Sequence, residues 1–331
     1  MATRELSDAV HVQPDPSDRR SAPWQPVLEG SRAEVVSIAE DVLARLRDPA
    51  QVRAAAAAAA EQTAFPKAIY WQPFGLAQGY AGLAVMAGYA DRCFPGTDWD
   101  VVGHQFLSLA ARGAEASSYR PAGLWAGLSG LAFAAWYLSR DGARYGKLLG
   151  SVEDVLLPQV ADLAEALQRE RGGVRVSQFD LISGLSGVGA YLLCRQEEGR
   201  AAQLLETVMR ALIDLVREEE PLPRWHTPAR WLGDEQLVRA YPHGNLNCGL
   251  AHGIPGPLAM LALAYHQGVA LDGAAEAIDR LAGWLSESRC DDAWGVNWPN
   301  AVALEPTGPG DARTLRAAEA KAAPFGPSRT A

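Results

Sequence analysis

One turn-and-helix pattern recurs four times in this chain of 331 residues, and it restricts the fold more than any other feature. Gly75-Leu-Ala-Gln-Gly79-Tyr-Ala-Gly82 leads into Leu-Ala-Val-Met-Ala, and Gly123-Leu-Trp-Ala-Gly127-Leu-Ser-Gly130 leads into Leu-Ala-Phe-Ala-Ala. Asp180-Leu-Ile-Ser-Gly184-Leu-Ser-Gly187 leads into Val-Gly-Ala-Tyr-Leu-Leu, and Gly249-Leu-Ala-His-Gly253-Ile-Pro-Gly256 leads into Pro-Leu-Ala-Met-Leu. A single Gly-x-x-Gly is ordinarily a turn or a helix cap. Four copies with the same leucine and the same apolar sequel specify a repeat architecture. The central glycines are 48, 57 and 69 residues apart, room for two helices and two loops per unit.

The helices expected after the turns, at 83–90, 131–138, 188–194 and 258–265, are apolar nearly all round and must be buried on most sides. The intervening ones are amphipathic: Leu204, Leu205, Val208, Leu212 and Val216 form a stripe opposite Arg210, Asp214 and Arg217. Short buried helices alternating with longer amphipathic ones predict two concentric layers. The glycines then serve tight entry turns and close backbone approach at one end of the inner layer. No segment of period-two alternation stands out, so the expected class is all-α, one domain over residues 29–331.

Residues 1–28 carry Pro14, Pro16, Pro23 and Pro26 among charged residues and are expected to stay disordered. The first helix begins at a Ser31/Glu34 capping box, places Val35, Ile38, Val42 and Leu46 on one face, and stops at Asp48-Pro49. The alanine-rich stretch 51–62 is helical by propensity.

A net charge of −9 offers no electrostatic footprint for nucleic acid and disfavours an anionic membrane surface. No run approaches the roughly 20 apolar residues of a membrane span, and the N-terminus lacks the basic-then-apolar plan of a secretory signal. The four cysteines, Cys93, Cys194, Cys248 and Cys290, form no CxxC pair, which fits free thiols in a reducing cytoplasm.

Two polar residues break the repeat. Asp180 replaces the leading glycine of the third copy, and His252 stands where the other copies have Gln78, Ala126 and Ser183. Both lie on turns at the same end of the inner helices. A histidine and a carboxylate meeting there suit proton transfer, because imidazole titrates near neutrality and the carboxylate fixes its tautomer. The plainer alternative is that Asp180 caps a helix and His252 bonds a nearby carbonyl. His243, Cys248 and His252 have a loosely metal-like spacing, but glycines interrupt the stretch and a lone cysteine in apolar surroundings is ordinarily packing. Trp294 and Trp298 fall in a turn-rich loop, lining a peptide groove or covering the rim of the core.

The run Asn247-Cys-Gly-Leu-Ala-His-Gly-Ile-Pro-Gly256 resembles the Asn-x-Gly-x-Ala-His-Gly-x-x-Gly signature of the lanthionine synthetase C family, and the Asp180 turn resembles that family's aspartate-bearing repeat. The resemblance runs from about residue 31 to the C-terminus. It implies an α/α toroid and a cyclase that adds precursor-peptide cysteine thiols to dehydroalanine or dehydrobutyrine, forming thioether rings in lanthipeptides. It further implies a zinc ion that ionises the substrate thiol. By the same resemblance His252 and Asp180 correspond to active-site residues, and Arg329 to an arginine placed to stabilise the enolate. The implied partners are a dehydrated precursor peptide and a lanthipeptide dehydratase.

The chain departs from the family in its metal ligands. The zinc-binding cysteine of a Trp-Cys-Tyr-Gly motif and a later Cys-His pair would fall beyond Ala331, so no zinc is expected in the chain as given, which reads as a fragment short of its closing repeats. Two alternatives stand beside the cyclase: a non-catalytic toroid that binds peptide or thiol, and a toroid glycoside hydrolase. The second needs a pair of carboxylates, and Asp180 is the only carboxylate within the motifs.

Overall fold

The computed structural model describes residues 32–65, 70–217, 222–292, 295–308 and 314–319. The N-terminal segment 1–28, Ser31, Trp294 and Arg329 lie outside the described residues. The chain divides into two compact units between Ile69 and Tyr70, so the single domain expected from residue 29 is parted at that point.

In the first unit, α1 (Arg32–Leu46) and α2 (Pro49–Gln62) are separated by a sharp stop. Asp48 Oδ1 accepts from Ala50 N at 2.8 Å, and Pro49 fills the first helical position, where no N–H is needed. The stripe of Val35, Ile38 and Val42 on α1 is exposed, and α2 buries no residue.

The second unit contains the repeat. Its helices are α3 (Tyr80–Cys93), α4 (Trp99–Ala116), α5 (Leu128–Tyr137), α6 (Gly146–Arg169), α7 (Val176–Phe179), α8 (Leu185–Leu193), α9 (Gly199–Leu215), α10 (Glu235–Ala240), α11 (Pro255–His266) and α12 (Ala274–Glu287). The helices that follow the four turns, α3, α5, α8 and α11, pack in succession on one another. Each is backed by the longer helix after it: α4, α6, α9 and α12. The two-layer expectation is met, and the physical cause is visible in the burial. Along α8, Leu185, Val188, Tyr191 and Leu192 are all inaccessible, whereas α9 buries Leu205, Val208 and Leu212 and leaves Arg210 outward. On α3 the buried positions after Tyr80 are alanines, Ala81, Ala84, Ala87 and Ala90, which let neighbouring helices approach closely.

The motif glycines are required by space rather than by a left-handed backbone. Gly79 and Gly127 have φ of −163° and −134°, open to any residue. A Cβ at Gly79 would stand 1.9 Å from Gln72 O, at Gly127 2.2 Å from Pro121 O, and at Gly253 2.3 Å from Asn247 O. The last glycine of the first three turns is as tight: a Cβ at Gly82, Gly130 or Gly187 would meet the carbonyl of the motif leucine six residues earlier at 2.1, 2.2 and 2.1 Å, whereas at Gly256 the nearest atoms stand 3.4 Å away.

The expectation of no strands needs correcting. An antiparallel sheet of order β1-β2-β5-β6 joins β1 (Thr227–Pro228), β2 (Gly244–Asn247), β5 (Ala301–Pro306) and β6 (Leu315–Ala317). A hairpin joins β3 (Cys290–Asp292) to β4 (Gly295–Asn297), in place of the loop expected there. The strands are too short, and β5 too rich in alanine, to give a strong alternating pattern. Val302 and Leu304 nonetheless face inward, with Leu246 opposite Val302. β1, α10 and β2 occupy the connection before the fourth turn, which is why that spacing is the longest. Arg224 anchors the connection: it is buried, pairs with Asp214 at 2.5 Å, and donates to the carbonyls of Leu167, Gln168 and Glu170 at the end of α6.

Candidate functional site

The four turns are hydrogen-bonded to one another in sequence. Leu76 N and Ala77 N both donate to Trp125 O at 2.9 and 3.0 Å, Trp125 N donates to Ile182 O at 3.3 Å, and Leu181 N donates to Ala251 O at 3.1 Å. The motif leucine of each turn also covers the last glycine of the next. Cβ atoms built on Gly130, Gly187 and Gly256 would lie 3.0, 3.0 and 3.6 Å from the Cβ atoms of Leu76, Leu124 and Leu181.

This registration sets the first motif position of one turn against the fourth position of the following turn. Between the second and third turns the two positions are Gly123 and Ser183, where a Cβ on the glycine would stand 2.8 Å from Ser183 Cα. Between the third and fourth they are Asp180 and His252. The two residues that break the repeat are thus brought together by the repeat itself.

His252 Nδ1 and Asp180 Oδ2 are 2.6 Å apart. Asp180 is 1% exposed, and its other oxygen, Oδ1, accepts from Ser183 N at 2.7 Å and Gly184 N at 2.8 Å. The two amides fix the carboxylate plane and leave Oδ2 to accept from the imidazole. Nδ1 therefore carries the hydrogen, and Nε2 presents a lone pair from a side chain that is 54% exposed. The plainer sequence alternative is half right: Asp180 does hold the turn ahead of α8, and it binds His252 with its remaining oxygen.

The fourth turn is braced from its own side. β2 runs directly into it, Asn247 Oδ1 accepts from Gly249 N at 2.8 Å, and Cys248 N donates to Asn300 O at 3.0 Å. Sequence reasoning offered capping by Asp180 as an alternative to contact with His252, not together with it, and missed the Leu181–Ala251 bond.

Among the described residues no three His, Cys, Asp or Glu side chains gather in a group able to hold a metal ion. His243, Cys248 and His252 accordingly make no donor set. Cys248 is buried, its thiol points at Leu246 O at 3.7 Å, and desolvation pushes its pKa up to about 11, which disfavours the thiolate a metal would need. The described donors do not fit the zinc implied by the resemblance. All four cysteines are free thiols. Trp298 lies over the end of α12, its Nε1 donating to Leu285 O at 2.7 Å, as expected of a rim residue. No described helix is long and apolar enough to cross a membrane.

The chain is similar to known proteins in sequence and in fold. Nisin biosynthesis protein NisC of Lactococcus lactis subsp. lactis is 28% identical over 158 residues, which is 48% of this chain and 37% of that protein. The solved structure of a nisin cyclase superposes with a TM-score of 0.64 at 19% identity, covering 76% of this chain and 62% of that one. The chain therefore spans less than two thirds of the length of either relative. The structural likeness shows the shared α/α toroid architecture. The family model for lanthionine synthetase C-like protein matches residues 70–312, all four turns included, and the chain belongs to that family.

Proposed function

We propose that this chain acts in the thioether-forming step of lanthipeptide maturation, adding a peptide cysteine thiol across a dehydroalanine or dehydrobutyrine. The observation that carries the reading is the bond between buried Asp180 and exposed His252. Family membership and the similarity to NisC and nisin cyclase support it.

The reaction is an addition with no leaving group. The sulfur forms a bond to the β-carbon, the double-bond electrons move toward the carbonyl as an enolate, and the α-carbon takes a proton. His252 Nε2 is the one site of the pair open to substrate, so it exchanges the proton, taking one from the thiol and returning one to the α-carbon. Asp180 stays an acceptor throughout, holding the Nδ1–H tautomer and balancing the imidazolium when it forms. Arg329, which the resemblance assigns to the enolate, lies outside the described residues.

The test is incubation with a synthetic peptide carrying one dehydroalanine and one cysteine, followed by thiol alkylation and mass spectrometry. Cyclisation protects the thiol from alkylation without changing the peptide mass. Protection that depends on His252 is the expected result; alkylation equal to the enzyme-free control refutes it. A second reading is a toroid that binds such peptides without chemistry. Peptide binding without protection supports it. The toroid glycoside hydrolase loses ground to the family match.

A further inference from the structure

Two guanidinium groups share one indole close to the Asp180–His252 pair. Arg230 lies over the Trp231 ring at 4.4 Å from its centroid, and Arg175 at 5.5 Å. Both arginines are exposed and Trp231 is half-buried. Their nearness to the pair follows from the chain. Arg175 directly precedes α7, whose single turn runs into Asp180. Trp231 ends the short 3-10 turn that follows β1, and β1 pairs with β2, which runs into the turn of His252. The two loops are held against each other: Val174 N donates to His226 O at 2.9 Å. A Cβ on Gly173, whose φ is +93°, would stand 2.6 Å from both His226 Nε2 and Pro228 Cδ.

The stack has the chemistry of a carboxylate receptor. Among the described residues neither guanidinium pairs with a carboxylate, and Arg230 Nη2 donates to Gly172 O at 3.4 Å. Stacking on an indole uses the face of a guanidinium and leaves its in-plane N–H groups to grip a carboxylate in bidentate fashion. It also holds two long side chains in place, so a ligand meets them with less rotamer entropy left to lose. In a chain with a net charge of −9, such a pair of cations is a local exception. We propose that Arg175, Arg230 and Trp231 form a docking site for an aspartate or glutamate side chain of the substrate peptide, a few residues from the reacting centre. The single turn of α7 puts Arg175 only about 8 Å along the chain from Asp180, the span of roughly two to three extended residues. This docking role rests on the reading proposed above, in which the substrate is a peptide.

The experiment reads binding rather than turnover, so that its failure is distinguishable from failure of the cyclase reading. The probes are two rhodamine-labelled peptides, blocked at both termini, with serine in place of the reacting cysteine and alanine in place of the dehydroalanine. They differ only in carrying Glu or Gln a few residues from that alanine. Blocking the C-terminus excludes a terminal carboxylate as the ligand. Fluorescence anisotropy with the full chain should show the Glu peptide binding about fivefold more tightly at low salt, and the preference should shrink at high salt. Arg175→Gln and Arg230→Gln should each reduce the preference and the double variant should abolish it, with helical circular dichroism unchanged because both side chains are exposed. Arg175→Lys keeps the charge without the planar fork and should retain only part of the preference. Equal binding of the two peptides, or none by either, overturns the proposal, and so does a double arginine variant that keeps the parent's preference. An arginine-dependent Glu preference in a chain that forms no thioether would sustain the docking site and refute the cyclase step alone.

Discussion

Replacing Asp180 separates its two tasks. In Asp180→Ala the amides of Ser183 and Gly184 lose their acceptor, and an unpaired buried donor costs about 1–3 kcal/mol. The Gly184 amide is buried and should cost the full amount, whereas Ser183 is exposed and its amide can turn to water. The expected loss is about 2–4 kcal/mol, or a fall of roughly 4–16 °C in melting temperature for a unit of this size. In Asp180→Asn the side-chain oxygen still accepts both amides, so stability should drop by only about 1 kcal/mol for the lost charge assistance. The new NH2 group, however, faces His252 Nδ1 and forces it to accept. The hydrogen then moves to Nε2, and the exposed nitrogen changes from acceptor to donor. Urea denaturation measures the first effect and nitrogen-15 NMR of the imidazole the second. Peptide cyclisation, on the reading proposed above, should fall by about 10²–10⁴-fold in both variants, the usual worth of a positioned acid–base group. If Asn is as unstable as Ala, the amides are not what Asp180 Oδ1 supports. If the imidazole keeps its hydrogen on Nδ1 in the Asn variant, the orientation assigned to the pair is wrong.

Two glycine substitutions should move stability in opposite directions. Gly130→Ala places a Cβ 2.2 Å from Leu124 O and should cost about 2–4 kcal/mol, while Gly150→Ala, inside α6 with nothing within 4 Å, should gain about 0.5–1 kcal/mol; thermal melts of the two compared with the parent check both signs. Arg224→Met should destabilise by about 2–4 kcal/mol, because the carbonyls closing α6 lose their donor and Asp214 keeps only the exposed Arg217; a urea midpoint close to the parent's would refute this. Burial raises the thiols of Cys194 and Cys248 to about 11 from an unperturbed 9.0, so the unfolded chain releases these protons first. Their contribution to stability is complete below pH 9 and declines as the pH rises toward 11. Cys248→Ala should flatten that decline in pH-dependent denaturation, and an unchanged slope would count against it.

The two helical layers were legible in the sequence because the signal is local and repeated: inner helices such as α8 are apolar all round, outer ones such as α9 carry a stripe. Asp180 and His252 were also found there, as failures to match the repeat. The sheet was not. β2 and β5 are far apart in the chain, and strands of four and six residues with alanine in inward-neighbouring positions leave little pattern. The role of the glycines was half legible, since only atoms from elsewhere, such as Gln72 O over Gly79, reveal that space and not backbone conformation excludes a side chain. The sequence by itself therefore determined the repeat, the class of fold and the two residues of interest. Tertiary structure alone decided that they touch. A 2.6 Å bond between residues 72 apart depends on the offset between neighbouring turns, and the Leu181–Ala251 hydrogen bond sets that offset only once the inner helices have packed.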